Sequence, residues 1–299
     1  MINQLLITFV CHCEKVWWDE GYESLTMAVR AFLDMQNYLS QKLGYKINST
    51  FCPLIDHPTS DIAISDISYV PELFREIISL DNEVGLHIHG PIKEMNTGIQ
   101  DRFIKSDTEF LTKLGFKPVT YAAGDWITSE NTVPFLEKSG LKIDYSVYNL
   151  EPLREKFGAQ RDYIKRKSLR PYHPDCFDIC LEGKSKILEL PVSGNLTEFS
   201  QVIYSNLPPI TDRISDRYHK LDCIDIFQIF WHPFEIATLD GKDSYQLLKE
   251  GFKGESEKSK IGVNSKTLDS AKEFLLEFGQ KPNVKILSAI RATEIFLNI

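Results

Sequence analysis

The chain has no run of basic residues, no apolar stretch long enough to cross a membrane, and no cysteine spacing that reads as a disulfide framework. Each absence excludes something. Without a basic run, and with a formal net charge of −8, the protein is not expected to bind nucleic acid or an anionic membrane. Without a span of about 20 apolar residues, no transmembrane helix is expected. The opening Met-Ile-Asn-Gln-Leu-Leu-Ile-Thr-Phe-Val lacks a basic n-region and runs straight into Cys11-His12-Cys13-Glu14. It therefore reads as a first buried strand and not as a signal peptide, so a cytoplasmic protein is expected. In that compartment Cys11, Cys13, Cys52, Cys176, Cys180 and Cys223 should be reduced thiols. The sequons Asn48-Ser49-Thr50 and Asn195-Leu196-Thr197 then have no consequence. There is no internal repeat and no linker.

The composition is that of an ordinary globular domain, with 42% apolar and 25% charged residues over 299 positions, enough for one large core. Short apolar runs alternate with helical patterns. Strands are predicted at Leu5–Val10, Lys46–Phe51, Glu83–His89, Pro118–Ala123, Leu141–Tyr145, Ile187–Val192, Ile226–Trp231 and Val284–Leu287. Helices are predicted at Glu23–Leu43, Val70–Leu80, Asp101–Leu114, Ser129–Ser139, Lys266–Phe278 and Ala289–Leu297, several of them stopped by glycine. Between about 149 and 185 the rhythm breaks into a polar, proline-containing insertion, expected to fold over the mouth of the fold. Residues 238–264 read as a solvated, Lys-rich excursion. Seven or eight strand–helix units in one domain spanning 1–299 point to an α/β fold, either a parallel (β/α) barrel or a doubly wound sheet.

A barrel gathers its chemistry at the C-terminal ends of its strands. The candidate residues fall there: His12 and Glu14, Asp56 and His57, His87 and His89, Asp125, then His232 and Glu235. His87 and His89 are two apart on a strand and share a face, an arrangement suited to a borderline metal ion. Glu14 completes a candidate ligand set of one carboxylate and two imidazoles. Zinc is the foremost candidate metal, with nickel, cobalt or manganese also compatible. The blander alternatives are two half-exposed strand histidines and a solvated strand-end carboxylate. A Cys-His-Cys site at residues 11–13 is weaker, because strand alternation splits those side chains between faces. His232 suits proton transfer near neutrality or could equally be a core histidine paired with Glu235. Arg170-Pro171-Tyr172-His173-Pro174 could line a sugar pocket or merely stiffen a loop.

Taken in order, these segments resemble the polysaccharide deacetylase superfamily, the NodB-homology or carbohydrate esterase family 4 proteins. The similarity is greatest to the branch with Glu-x-Gly-Leu-His-x-His found in surface-polysaccharide biosynthesis. Glu83 to His89 matches the second motif of that family. Tyr121-Ala122-Ala123-Gly124-Asp125-Trp126 resembles the third, and Ile143-Asp144-Tyr145-Ser146-Val147 the strand that follows. Pro171-Tyr172-His173-Pro174 with Ile187 to Ser193 resembles the later substrate-side segment, and Trp231-His232-Pro233 the final histidine motif. The resemblance implies a distorted (β/α)7–8 barrel and a divalent metal. It also implies hydrolytic removal of an N- or O-acyl group, acetyl above all, from a sugar. His87 and His89 become metal ligands and His232 the general acid. Trp126, Arg170, Tyr172 and Glu235 are expected to contact substrate.

Two departures from the family pattern bear on mechanism. The first motif normally carries an Asp base; alignment on Glu14 puts His12 in its place, with Asp125 or Asp56 next in line, whereas alignment on Thr8-Phe9 puts Val10 there and leaves no base. The third motif has Ala122 where the family usually has Arg. The two losses are mutually consistent, since a neutral imidazole base needs no cationic partner. With an imidazole base and an imidazole acid, activity should be bell-shaped in pH. A cytoplasmic enzyme would meet a nucleotide-linked or lipid-linked sugar. The alternatives are a non-catalytic sugar-binding or scaffold homologue, and another C–N hydrolase acting on a ureide or cyclic amide.

Overall fold

The structure is a computed structural model that describes residues 3–19, 21–56, 64–65, 70–89, 97–126, 128–148, 169–201, 207–251 and 260–297. The first strand, β1 (Gln4–Cys13), is buried on both faces, as expected of a parallel strand covered by helices. It is followed by α1 (Glu23–Leu43), whose buried residues Leu25, Ala28, Val29, Phe32 and Leu39 recur at helical spacing and turn one apolar face to the sheet. Gly44 ends this helix in the left-handed region, φ 73°. Next come β2 (Thr50–Asp56), β3 (Ile64–Ser65), α2 (Pro71–Ser79), β4 (Glu83–Val84), β5 (Leu86–His89), α3 (Thr97–Lys113), β6 (Thr120–Ala123), α4 (Thr132–Lys138) and β7 (Ile143–Asp144). After the insertion follow β8 (Leu188–Glu189), β9 (Val192–Asn195), α5 (Ile210–His219), β10 (Ile224–Trp231) and α6 (Pro233–Ile236). The chain continues through β11 (Ala237–Leu239), β12 (Lys242–Asp243), α7 (Ser244–Lys249), β13 (Ile261–Val263), α8 (Ser265–Gly279), β14 (Val284–Ile286) and α9 (Ala289–Phe296).

The main sheet runs β8-β7-β6-β5-β2-β1-β10-β9, and every pairing along that path is parallel. Its two ends belong to one extended segment: β8 pairs with β7, and four residues on, β9 pairs with β10. The break falls at Leu190-Pro191, where proline has no N–H to give a ladder. The result is a distorted (β/α) barrel. The count of seven or eight is settled by sharing, since β14 pairs with the lower half of β1 and β2 with its upper half. Alternation along β1 sorts its side chains. Leu6 and Val10 join Cys52, Ala122, Tyr145, Leu188 and Ile226 inside the barrel, while Leu5, Ile7, Phe9, Cys11 and Cys13 pack against the helical layer. His12 shares the inward parity, and Cys11 and Cys13 lie together on the other face, Sγ to Sγ 3.3 Å.

Four features differ from the sequence expectation. The second strand begins at Thr50 and not at Lys46, because the Asn82 side chain takes the Ser49 N–H that a ladder would have used. The third is cut into β4 and β5 at Gly85, where a Cβ would run into Thr120 and Cys52. Of the segment 238–264 read as a solvated excursion, residues 252–259 lie outside the described residues, and the flanking parts form a small antiparallel sheet, β12-β11-β13. The helix α5 follows Pro208-Pro209 and had no strong start signal. Of the insertion, 149–168 lies outside the described residues. In residues 169–185, Tyr172 bridges to Glu189 of β8.

Candidate functional site

Four histidines and one carboxylate meet at the C-terminal ends of β1, β5 and β10. Glu14 leaves the end of β1, and its Oε1 lies 2.9 Å from His87 Nε2, 3.2 Å from His89 Nε2 and 3.5 Å from His232 Nε2. The two histidines of β5 approach each other to 3.1 Å between Nε2 atoms. His12 is 2% exposed; its ring stacks on His87 at 4.3 Å and meets His232 edge-on at 5.0 Å. Close approach is built into the backbone. Gly124 packs directly against the His89 ring and the Ile88 carbonyl, with no room for a Cβ.

The protonation states define what the cluster can hold. Burial pushes His87 below its ordinary value, so its ring is neutral. Its Nδ1 lies 2.9 Å from the Ala122 carbonyl, which can only accept, so the single ring proton is used there and Nε2 is a bare lone pair. The Glu14 oxygen therefore faces a lone pair at 2.9 Å, with His89 Nε2 3.2 Å from it. One proton could satisfy one of these pairs. A cation satisfies all three, and the edges of 2.9–3.2 Å are near the ~3.3 Å expected for tetrahedral ligands at bond lengths of about 2.0 Å. The donor set therefore fits a divalent metal.

His12 and His232 are driven in opposite directions. Burial, reinforced by the neighbouring His87 and His232, pushes His12 well below its ordinary value. For His232 burial also lowers the value, but the Glu235 and Glu14 carboxylates overcome it and the net shift is upward. Glu235 is 2% exposed. It accepts the His232 backbone N–H at 2.8 Å and the Asn195 Nδ2–H at 2.7 Å, and lies 3.7 Å from His232 Nδ1. It is thus buried against the backbone of His232 and held by Asn195. Asn195 is fixed in turn by Thr197 and Glu198, a chain of contacts across β9 and β10 that sequence alone did not reveal.

An aromatic wall encloses one side. Trp126 stacks on Tyr148 at 4.9 Å, meets Phe230 edge-on at 5.2 Å and lies 5.2 Å from His12. Its backbone sits at φ 59°, unfavourable for a bulky side chain and of the kind stored at functional sites. Phe234 stacks on His232 at 4.6 Å. Of the other expected residues, Asp125 lies in the 3-10 turn Gly124–Trp126, and its side chain is outside the described residues, as are His57 and the Asp56 side chain. Arg170 is not at the site. It pairs with Asp222 at 2.9 Å, just before β10, at the opposite end of the strand that leads to His232. Tyr172 is also elsewhere: its hydroxyl donates to the Ile179 carbonyl, and it stiffens the loop.

No family model matches the chain, and no curated protein matches it. Solved structures do. A Mycobacterium smegmatis protein assigned as a polysaccharide deacetylase aligns over 100% of this chain and 92% of its own, at 14% identity and a TM-score of 0.58. The 4-alpha-glucanotransferase of Thermococcus litoralis aligns over 99% of this chain and 41% of its own, at 12% identity and a TM-score of 0.53. A Bordetella bronchiseptica protein assigned as a polysaccharide deacetylase in O-antigen biosynthesis aligns over 93% and 91%, at 11% identity and a TM-score of 0.42, and adds nothing to the fold assignment. At such identities the shared property is architecture: the chain has the distorted (β/α) barrel fold of the protein assigned as a polysaccharide deacetylase.

Proposed function

We propose that the protein is a metal-dependent hydrolase that removes an acyl group, acetyl above all, from a sugar in surface-polysaccharide synthesis. The observation that carries this is the single oxygen of Glu14 set among three imidazole Nε2 atoms at 2.9–3.5 Å, at the strand ends where barrels place their chemistry. The sugar substrate is supported by the motif order in the sequence and by the carbohydrate-directed names of the two proteins that share the fold.

Glu14, His87 and His89 would hold the metal, zinc foremost. Bound there, it supplies Lewis acidity toward the acyl carbonyl and lowers the pKa of the attacking water. His12, held neutral by burial, takes the water proton as the oxygen bonds to the acyl carbon. His232, held protonated by Glu235 and Glu14, gives its proton to the departing amine or alkoxide as the C–N or C–O bond breaks. Glu235 and Asn195 orient His232, and Trp126, Tyr148 and Phe230 exclude bulk water from one side. Assay of acyl release from a panel of nucleotide-linked and lipid-linked acylated sugars tests the proposal. Zinc-loaded protein should release free acid, and His12→Ala or His232→Asn should each lower the rate on the order of 100- to 10,000-fold. A zinc-free protein that binds such sugars and releases nothing would instead be a sugar-binding homologue.

A further inference from the structure

The oxygen of Glu14 that faces His87 and His89 also faces a second pair. His12, Glu14 and His232 each offer a ligand atom, all within 4.8 Å of one another, and the Glu14–His232 edge is 3.5 Å. His12 Nε2 is fully buried and has no hydrogen-bond partner, a state that is costly for a polar atom unless something pairs with it. A carboxylate has about four lone-pair positions on its two oxygens, enough to serve two cations. The two trios share Glu14 but differ in tightness. The His87–His89 trio closes at 2.9–3.2 Å, whereas the His12–His232 trio is looser and must contract to bring its ligands onto one ion.

We propose that His12, Glu14 and His232 form a second, weaker divalent-cation site whose filling switches the enzyme off. This rests on the function proposed above and deepens it. A cation on His12 Nε2 occupies the lone pair that would take the proton from water. A cation on His232 Nε2 displaces the proton that would go to the leaving group. The first site makes the enzyme competent, and the second disables both proton-transfer groups at once. Activity should therefore rise and then fall as free metal increases.

The test is titration of zinc chloride into the chelator-stripped full-length protein, with bound zinc measured by equilibrium dialysis and acyl release measured in parallel. Two zinc ions per chain are expected, the second bound roughly tenfold or more weakly, with activity falling as it binds. His12→Ala and His232→Asn should each bind one. A cobalt titration of the unsubstituted protein, expected to show two successive changes in the visible spectrum, makes the result independent of how the variants fold. Saturation at one equivalent with flat activity up to millimolar zinc would overturn the second site and leave the proposed function standing. A second equivalent retained by both variants would also overturn it, by placing that ion elsewhere. Absence of any bound zinc together with absence of acyl release would overturn the proposed function itself.

Discussion

Glu14 Oε1 and His87 Nε2 lie 2.9 Å apart across 73 residues of sequence, and neither has a proton to give the other. The histidine has used its proton on the Ala122 carbonyl, and an ionised carboxylate only accepts. Strand register makes this meeting unavoidable. Cys13 pairs with Pro53 on β2, and Leu54 on the same strand pairs with His87. The end of β1 and the middle of β5 are thus brought to one level of the barrel. A cation between them turns a repulsive pair into a site.

His87→Ala removes one of three ligands and should abolish stoichiometric metal binding at the first site, since two ligands leave an incomplete shell. Metal analysis of the dialysed variant checks this. Wild-type occupancy in both His87→Ala and His89→Ala would remove these residues from the ligand set.

Gly124→Ala should damage the site without touching a ligand. The added Cβ meets the His89 ring and the Ile88 carbonyl oxygen, so either the ring swings away or the turn moves. Stability should drop by about 1–3 kcal/mol, as for other overpacked sites, and metal affinity should fall with it. Thermal unfolding with and without zinc separates the two effects: the zinc-dependent rise in Tm should shrink more than the apo Tm falls.

Glu235→Gln keeps the shape but removes the charge that holds the His232 proton. The expected result is a fall in kcat of roughly 10- to 100-fold with little change in KM, as for other groups that orient a reacting side chain. Asn195→Ala frees one carboxylate oxygen of Glu235 and should act in the same direction, more weakly. Steady-state kinetics of both variants on one substrate decides; an altered KM with unchanged kcat would place Glu235 against substrate instead.

Glu83 couples folding to pH. Its carboxyl accepts from Thr50 and from the Ile290 N–H at the start of α9, yet burial outweighs those contacts and raises it to about 7 from 4.5. Between those two values the folded protein keeps a proton that the unfolded chain has lost, so the contribution of Glu83 is fully present below about 4.5 and is lost as pH rises through 7. The amplitude is on the order of 3 kcal/mol. Asp144, raised to about 7 from 3.8 by burial, adds a slope of the same sign. Denaturant unfolding from pH 4.5 to 8 should show the decline, and Glu83→Gln should flatten part of it. A variant slope equal to the wild type would show that Glu83 ionises normally in the fold.

What could be read in the sequence follows from short-range rules. The α/β alternation, the helix stop at Gly44 and the shared face of His87 and His89 depend on periods of 3.6 and 2 and on local turn chemistry, all carried by neighbouring residues. The same alternation put His12 inside the barrel and Cys11 and Cys13 outside it. Glu14 joined the histidines through the same spacing, two residues from His12, and through its place at a strand end. What could not be read depends on long-range closure. The split of β8 from β9, the sharing of β1 between β14 and β2, and the small β12-β11-β13 sheet are pairings between distant segments that no local pattern encodes. The substrate-side expectation for Arg170 and Tyr172 rests on family resemblance, while their loop by itself fits a stiffening role equally well. Only the fold decided that this loop runs along β8, with Arg170 at the far end of β10. That Glu235 is buried beside His232 and held by Asn195 from the neighbouring strand likewise came only with the tertiary structure. The sequence by itself determined which side chains share a face; the tertiary structure decided which faces meet, because that depends on register between strands up to hundreds of residues apart.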